Sequence, residues 1–239
     1  MAYFTVNGHS RKGPDREQNE DAFSIGEHAA FGKSNSHLDL SLENADPPTL
    51  VTLADGMGGH DRGELASQTV VQSLISLFNN DKGNFNIDLA ISLAHQELIE
   101  LGMQNRKMRA LGTTVVGAIL FEDRCDIFNV GDSRAYLLSG EILKQLSIDD
   151  TYPGKPNSSI TQCIGGGQPS NPIAHKVQQE LKSGDKLVFV SDGITDTVNN
   201  DILQNMLLES SNDPTSKICD KAANLGGADD ASIIICNLH

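Results

Sequence analysis

Carboxylate side chains stand beside glycine or small polar residues at three separated points of the sequence. These points are Arg16–Asp21, Asp55–Gly59 and Ser191–Gly193. Asp55 and Asp192 each follow a short apolar run, which predicts a strand that ends in a tight turn with an acid at its tip. A glycine after the acid lets the backbone approach an ion closely. If several such tips meet, they form an all-oxygen site suited to Mg²⁺ or Mn²⁺ rather than Zn²⁺.

The composition is typical of a globular protein with one domain. The chain has 239 residues, of which 38% are hydrophobic and 21% charged, and this length predicts a single domain spanning residues 1–239. The longest apolar run, near Val115 to Phe121, is shorter than the roughly 18 residues that cross a bilayer, and Met1–Val6 lacks a secretory-signal pattern. We therefore expect no membrane partner.

Charge and cysteine usage narrow the partners and the compartment. The formal net charge is −14, and the absence of a basic stripe in the sequence argues against nucleic acid as a partner. Part of the acidic excess is ordinary solvated surface, although clustered carboxylates also help to capture divalent cations, and charge alone does not choose between these roles. The four cysteines are widely spaced, which favours a reducing cytoplasm.

Hydrophobic periodicity predicts strands, a helix pair, more strands, two helices and a final strand. Short strands are predicted at Thr5–Gly8 and Ala22–Ile25, and the polar stretch 31–48 is predicted to be a surface loop. The other predicted elements are helices over Asp61–Phe78, Ile87–Asn105, Asn200–Glu209 and Thr215–Asn224, and strands over Thr113–Leu120, Arg124–Val130, Ala135–Ser139, Lys186–Val190 and Ser232–Cys236. This order predicts a layered α+β fold with antiparallel sheets.

Six motifs, taken in order, resemble those of a known family. They are Arg16–Ala22, Asp55–His60 with Gly63–Glu64 and Ala66–Ser67, Gly112–Thr114, Val130–Arg134, Ser191–Gly193 and Asp229–Ser232. A lone Asp-Gly pair occurs in many proteins. The six together span nearly the whole chain and resemble the metal-dependent protein phosphatases of the 2C type, specifically the bacterial serine/threonine members.

The resemblance implies both a fold and a reaction. The fold would be an αββα sandwich, in which two antiparallel sheets lie face to face, helix pairs flank them and a two-metal site occupies one edge. The reaction would be hydrolysis of phosphoserine and phosphothreonine in proteins. Two Mn²⁺ or Mg²⁺ ions would generate hydroxide near neutral pH and neutralise the phosphate oxygens.

The resemblance also implies which residues hold the ions. The implied ligands are Glu20, Asp21, Asp55, Gly56, Asp192 and Asp229. Asp55 would bridge the two ions, and the carbonyl of Gly56 would bind one of them. Asp192 and Asp229 would bind the other ion. Each acid has an alternative role, because aspartate is common in turns and helix caps.

Further residues complete the implied site. Glu20 and Asp21 would lie on the Gly56 side and act directly or through water. Arg16 would bind the substrate phosphate, because a planar guanidinium gives two parallel hydrogen bonds that lysine cannot reproduce. The catalytic set would therefore be Arg16, Asp55 and Asp192, and the alternative for Arg16 is a surface ion pair.

Two aspartates are candidates for a third metal ion of the kind described in bacterial relatives. They are Asp132 and Asp196. Asp132 lies in a hairpin-like Gly-Asp-Ser turn, where a structural aspartate would serve equally well. The third ion therefore remains a hypothesis beside the two-metal pair.

The last motif departs from the family pattern. Many relatives carry Asp-Asn where this chain has Asp229-Asp230. Aligning Ser232 with the family's serine or threonine makes Asp229 the ligand and leaves Asp230 to support the site from beside it. A slip of one residue would exchange these roles. In the first register we expect Asp230→Asn, which restores the common residue, to be tolerated.

The general acid and the access loop also differ from relatives. Met57 stands where eukaryotic relatives carry a histidine proposed as the general acid, and methionine cannot donate a proton. His60 lies nearby in sequence, although capping the following helix or facing solvent is an alternative role. The stretch 146–165 is too short for the long mobile flap of relatives, which leaves substrate preference open.

Three hypotheses follow for function. The leading one is a cytoplasmic, monomeric, metal-dependent protein-serine/threonine phosphatase acting on phosphorylated proteins, including a cognate serine/threonine kinase or its targets. A metallohydrolase of small phosphate esters is the second. The third is a non-catalytic pseudophosphatase that binds phosphoprotein, which should have lost Arg16 or metal ligands. None of these residues is lost.

Overall fold

Two antiparallel sheets lie face to face in the computed structural model, with helices on both outer sides. The structure describes residues 3–32, 34–42, 48–57, 62–105, 110–152, 160–209 and 213–239. The sandwich is built from two strand sets that each bury one face against the other. The first and last strands of the described chain are direct neighbours in one sheet.

The first sheet has six strands. In spatial order they are β10 (Ile142–Gln145), β9 (Arg134–Ser139), β13 (Lys186–Val190), β14 (Ala231–Leu238), β1 (Phe4–Arg11) and β4 (Asn35–Leu42). Strand β1 alternates buried and half-buried residues along its whole length, because successive side chains of a strand point to opposite faces. Its more accessible face, which carries His9 and Arg11, lies on the outer side of the sandwich.

The second sheet has eight strands and is centred on β5 (Thr49–Met57). The main path runs β11 (Ile164–Gly165), β6 (Gly112–Thr113), β5, β7 (Val115–Leu120), β8 (Arg124–Val130) and β12 (His175–Glu180), while β2 (Asp21–Ile25) pairs with β5 and β3 (His28–Phe31) pairs with β2. Every residue of β7 is buried. A strand that is covered on both faces has a continuous run of apolar residues rather than an alternating pattern, and this explains why β7 contains no polar side chain.

The helices cover the two outer faces. α1 (Gly63–Asn80) and α2 (Ile87–Gln104) pack on the second sheet, and a short 3₁₀ helix, Lys82–Asn84, connects them. α3 (Asp192–Thr195), α4 (Asn200–Glu209) and α5 (Thr215–Asn224) pack on the first sheet. Among the described residues, no helix combines the length and apolar character that crossing a membrane requires.

A third packing layer, between the sheets, fixes how they meet. Its buried members from the second sheet include Phe23, Leu53 and Val116, and those from the first include Val6, Phe189 and Ile234. Burying such side chains stabilises the fold by about 1.5–3 kcal/mol each relative to exposure. The ends of strands from both sheets are thereby held at one shared edge.

The predicted αββα sandwich is confirmed, and most predicted elements match observed ones. The predicted surface loop at 31–48 is wrong, because it contains β4. This strand forms the edge of its sheet and turns His37 and Asp39 to solvent while Leu38 and Leu40 pack on the core. Its polar content therefore hid its alternation. β10, β11 and β12 are additional strands that the periodicity did not predict.

Candidate metal-binding active site

Strand pairing places two of the predicted acids side by side. In the ladder between β2 and β5, Asp21 and Asp55 are direct partners, and side chains of directly opposed residues lie on one face. Asp192 comes from the other sheet, as the first residue of α3 immediately after β13. Asp55 and Asp192 lie close enough for each to affect the pKa of the other. The site therefore forms where the two sheets meet.

The predicted turn at Asp55 is wrong. Strand β5 continues for two residues beyond it, because Gly56 and Met57 pair with Thr113 and Gly112 of β6. The expected strand end does occur at Asp192, since β13 stops at Val190. Asp55 therefore projects from a paired strand, whereas Asp192 projects from a helix start.

The glycines beside the acids allow backbone segments to approach one another. A Cβ atom on Gly56 would lie 2.1 Å from the carbonyl oxygen of Gly63 and 2.6 Å from that of Glu20. A Cβ on Gly193 would lie 2.0 Å from the carbonyl oxygen of Asp230. Contacts this short exclude any side chain. These glycines therefore fix the Asp55, Glu20 and Asp230 segments against their neighbours.

Asp21 is the most enclosed acid of the site. Its Oδ2 accepts hydrogen bonds from the hydroxyls of Ser191, at 3.0 Å, and Ser232, at 2.5 Å. Its Oδ1 is buried without a hydrogen-bond partner among the described residues. Asp132 and Asp192 each have a buried Oδ1 in the same condition. A buried carboxylate oxygen without a partner is costly, so these three atoms need a cation or protons.

The pKa shifts show how strongly the acids crowd one another. Burial raises the pKa of Asp21 well above its ordinary value, and the charges of Asp230 and Asp192 raise it further. Burial also raises the pKa of Asp55 well above the ordinary value, with Asp21 and Asp192 adding to the shift. For Asp132, burial and then Asp192 raise the pKa to about 7. An all-oxygen set that resists ionisation alone suits a hard divalent cation such as Mg²⁺ or Mn²⁺.

Arg16 lies at the mouth of this acidic cleft. Its guanidinium donates to the carboxylate of Glu20 at 2.9 Å and to that of Asp229 at 2.5 Å. The Arg16 side chain is 39% exposed, so a solute can reach it. Glu20 also accepts a hydrogen bond from the backbone N–H of Gly63 at 3.2 Å. The arginine is therefore oriented by two acids beside the buried carboxylates.

The two aspartates of the last motif have different surroundings. Asp230 is buried, and its oxygens accept hydrogen bonds from the backbone N–H groups of Gly13 and Glu20, both at 2.7 Å. Asp229 is partly exposed and contacts Arg16. The structure does not support the expectation that Asp230→Asn is tolerated, because the amide nitrogen of asparagine would face a backbone N–H.

The two candidates for a third ion lie near Asp192. Asp132 is buried in the turn between β8 and β9, and Asp192 is the charge that acts on it most strongly. Asp196 is exposed and directly follows α3. Burial, followed by the charge of Asp229, raises the pKa of Asp196. The two side chains thus extend the acidic cleft beyond Asp192.

Some residues that hold the site were not predicted. Thr114 accepts a hydrogen bond from the backbone N–H of Asp55 at 3.1 Å, and Thr113 donates to its carbonyl at 2.7 Å. These threonines belong to a motif noted in the sequence, which is the signal that could have identified them. Asp150 accepts from the backbone N–H of Gly131 at 2.9 Å and thereby holds the turn that carries Asp132. No local pattern marks Asp150.

Two predictions concern residues outside the described ranges. His60, the alternative general acid, lies in the stretch 58–61, and part of the shortened flap lies in the stretch 153–159. The described chain on either side of that flap is joined by a bridge between Thr151 and Ile160. Met57 ends β5 and offers no proton.

We expect the metal-free protein to lose stability as the pH rises. An acid whose pKa is raised by folding stabilises the folded state fully below its unfolded pKa, and this contribution is lost as the pH rises through the folded pKa. For Asp132 the loss extends from its ordinary value to about 7. Urea unfolding with a chelator should therefore give a higher midpoint at about pH 6 than at about pH 8.

Saturating Mn²⁺ should shrink this difference, because a bound cation replaces the protons that relieve repulsion. Asp132→Asn should shrink it in chelator as well. Equal midpoints of the metal-free protein at the two pH values would contradict the explanation.

Comparison with known sequences shows which proteins this chain resembles. A family profile described as Protein phosphatase 2C matches residues 39–228. The serine/threonine protein phosphatase PstP of Mycobacterium tuberculosis is 27% identical over 206 residues, which cover 79% of this chain and 40% of that protein. This chain therefore spans about two-fifths of the length of that relative. A putative protein phosphatase 2C-type of Streptococcus pyogenes is 30% identical over 227 residues, covering 84% of this chain and 91% of that protein.

Solved structures share the fold. The catalytic domain of PstP, in complex with two manganese ions, has a TM-score of 0.79 at 24% identity and covers 100% of this chain and 99% of its own. A bacterial serine phosphatase has a TM-score of 0.80 at 25% identity, with 97% of this chain and 96% of its own covered. These comparisons confirm the predicted resemblance to bacterial serine/threonine phosphatases, and this chain belongs to the protein phosphatase 2C family.

Proposed function

We propose that residues 1–239 form one catalytic domain that hydrolyses phosphoserine and phosphothreonine in proteins with the aid of two Mn²⁺ or Mg²⁺ ions. The observation that carries this proposal is the meeting of Asp21, Asp55 and Asp192 next to the accessible guanidinium of Arg16. Asp21 and Asp192 each have a buried carboxylate oxygen without a hydrogen-bond partner among the described residues. Family membership and the manganese complex of the PstP domain support the metal requirement.

In this proposal the clustered oxygens hold the ions. Asp21, Asp55 and Asp192 would be joined by Glu20, Asp229 and the carbonyl of Gly56, and a third ion would use Asp132 and Asp196. When bound, the two metal ions supply a hydroxide nucleophile near neutral pH and neutralise charge on the phosphate. The hydroxyls of Ser191 and Ser232 orient Asp21 by hydrogen bonds to its Oδ2.

Arg16 would bind and orient the phosphate. In the structure its guanidinium already lies between two carboxylates, and a phosphate dianion would compete for the same donors. A carboxylate has about four lone-pair sites, so Asp229 can contact Arg16 and a cation at once. Glu20 would hold one side of the guanidinium while the other side binds the phosphate.

The proposed substrates are phosphorylated proteins, including a cognate serine/threonine kinase or its targets. The relatives support this class by name, since PstP and the Listeria monocytogenes protein stp, which is 26% identical over 224 residues, are serine/threonine phosphatases. We further propose a monomer in the cytoplasm. Three of the four cysteines are buried free thiols, as suits a reducing compartment.

The test of this function compares substrates and metals. Phosphoserine and phosphothreonine peptides should be hydrolysed with Mn²⁺ or Mg²⁺ and not with chelator, and Asp192→Asn should abolish turnover while the circular dichroism spectrum stays unchanged. A panel of small phosphate esters should give much lower kcat/KM. Faster turnover of those esters would favour the metallohydrolase, and peptide binding without turnover would favour a pseudophosphatase.

Removing the phosphate-binding guanidinium should weaken catalysis without affecting the metals. Arg16→Ala should lower kcat/KM on phosphopeptide roughly 30- to 1,000-fold, because a charge-assisted contact is lost. This corresponds to a loss of about 2–4 kcal/mol of transition-state stabilisation. The Mn²⁺ concentration that gives half-maximal activity should change little. Arg124→Ala is a matched control, since Arg124 stacks on Phe121 in a hairpin of the second sheet. Near-normal kinetics of Arg16→Ala would assign that residue to a surface ion pair.

The two adjacent aspartates should fail in different ways. Asp229→Ala should nearly eliminate turnover and raise the Mn²⁺ requirement, with little loss of stability because its side chain is partly exposed. Asp230→Asn should lower the free energy of unfolding by about 1–3 kcal/mol, because it leaves a buried backbone N–H unpaired. Urea unfolding and Mn²⁺-dependent kinetics measure both. A stable, inactive Asp230→Asn beside an active Asp229→Ala would show that the register is wrong by one residue.

A further inference from the structure

A second group of side chains of the types that bind metal ions lies on the outer face of the first sheet, away from the acids of the cleft. It consists of His37 and Asp39 on the edge strand β4 and Asp213 just before α5, and we call it the edge cluster. Within the described ranges, this is the group whose ligand atoms all lie within 4.8 Å of one another. It shares no residue with the cleft.

Two distances within the edge cluster are close to those between ligands of one small cation. Nε2 of His37 lies 3.3 Å from Oδ2 of Asp39 and 3.9 Å from Oδ2 of Asp213. Ligand atoms at about 2.0–2.2 Å from a tetrahedral ion are about 3.3–3.6 Å apart. The first distance already fits, and the second needs a shift of a few tenths of an ångström. The half-exposed His37 side chain has room for that shift.

Each carboxylate of the edge cluster is held by a further hydrogen bond. The amide of Asn7 donates to Oδ1 of Asp39. Thr215 donates to Asp213 from its backbone N–H, at 2.8 Å, and from its hydroxyl, at 2.9 Å. Such outer partners orient metal ligands in proteins and leave lone pairs on the same carboxylate free to bind.

A second imidazole stands beside the cluster. His9 on β1 is the direct cross-strand partner of His37, and the two ring centroids are 5.8 Å apart. Nδ1 of His9 is buried and has no hydrogen-bond partner among the described residues. A buried ring nitrogen without a partner is unusual in a protein, although His9 does not belong to the group whose ligand atoms all lie within 4.8 Å of one another.

We propose that His37, Asp39 and Asp213 form a second cation site, which binds Zn²⁺. Imidazole together with carboxylates suits Zn²⁺, whereas Mg²⁺ and Mn²⁺ favour the oxygen-only set of the cleft. A bound ion would join the edge strand β4 to the residue that precedes α5. The alternative is a protonated His37 that forms ordinary ion pairs with the two carboxylates.

Zinc stoichiometry tests this proposal directly. Tag-free full-length protein is dialysed against Zn²⁺ in the presence of saturating Mg²⁺, and bound zinc is measured by mass spectrometry. Wild type should bind one more zinc per chain than His37→Gln or Asp39→Asn. His28→Gln is the matched control, because His28 is an exposed histidine on β3 of the other sheet, and it should bind as much zinc as wild type.

Two further readouts separate this site from the cleft. Zn²⁺ should raise the urea midpoint of wild type and His28→Gln by more than that of His37→Gln. Mg²⁺-dependent turnover should be the same in all three, so the proposal does not depend on the proposed phosphatase function. Asp39→Asn replaces His37→Gln in these comparisons if the latter fails to fold. Equal zinc content and equal midpoint shifts in all variants would overturn the proposal and leave His37 as an ion-pair partner.

Discussion

The constraint that governs the cleft is the repulsion among carboxylates that the fold brings together at the junction of two sheets. Asp21 is buried. The charges of Asp230 and Asp192 raise its pKa, and Asp21 in turn raises the pKa of Asp55. Charges brought this close in a poorly solvated site either take up protons or require a cation. The fold offsets part of this cost with the hydroxyls of Ser191 and Ser232. In the proposed function, bound divalent ions would offset the remainder.

This arrangement exists only when the sandwich is assembled. Asp21 and Asp55 come from one sheet, and Asp192 and Asp230 come from the other. Asp230 links the two sheets, because its carboxylate accepts hydrogen bonds from the backbone N–H groups of Gly13 and Glu20, which precede β2. The geometry of the cleft is therefore a consequence of sheet-on-sheet packing, and distant core residues affect the site through that packing.

The parts predicted from sequence are those with a local signal. The helices over residues 87–104, 200–209 and 215–224 follow from their periodicity, and the acid after β13 follows from its apolar run. Register and edge strands have no such signal. The opposition of Asp21 and Asp55 depends on pairing between strands far apart in sequence, and β12 alternates half-exposed and exposed residues that resemble a loop. Asp150 supports the turn that carries Asp132 through a hydrogen bond from the backbone N–H of Gly131, and no local sequence pattern predicts this contact.

The state of Arg16 follows from the same electrostatics. A cation among so many acids is attracted to them, and it lies against Glu20 and Asp229 rather than in open solvent. Those contacts hold the guanidinium at the mouth of the cleft, which would reduce the entropy lost on binding the proposed phosphate substrate. In the proposed function they would also impose a competition, because a phosphate would have to replace carboxylates at the same donors. In the proposed function, a dianionic monoester would be drawn more strongly than a phosphodiester monoanion to cations held in the cleft, and this attraction would help it to displace the carboxylates from Arg16.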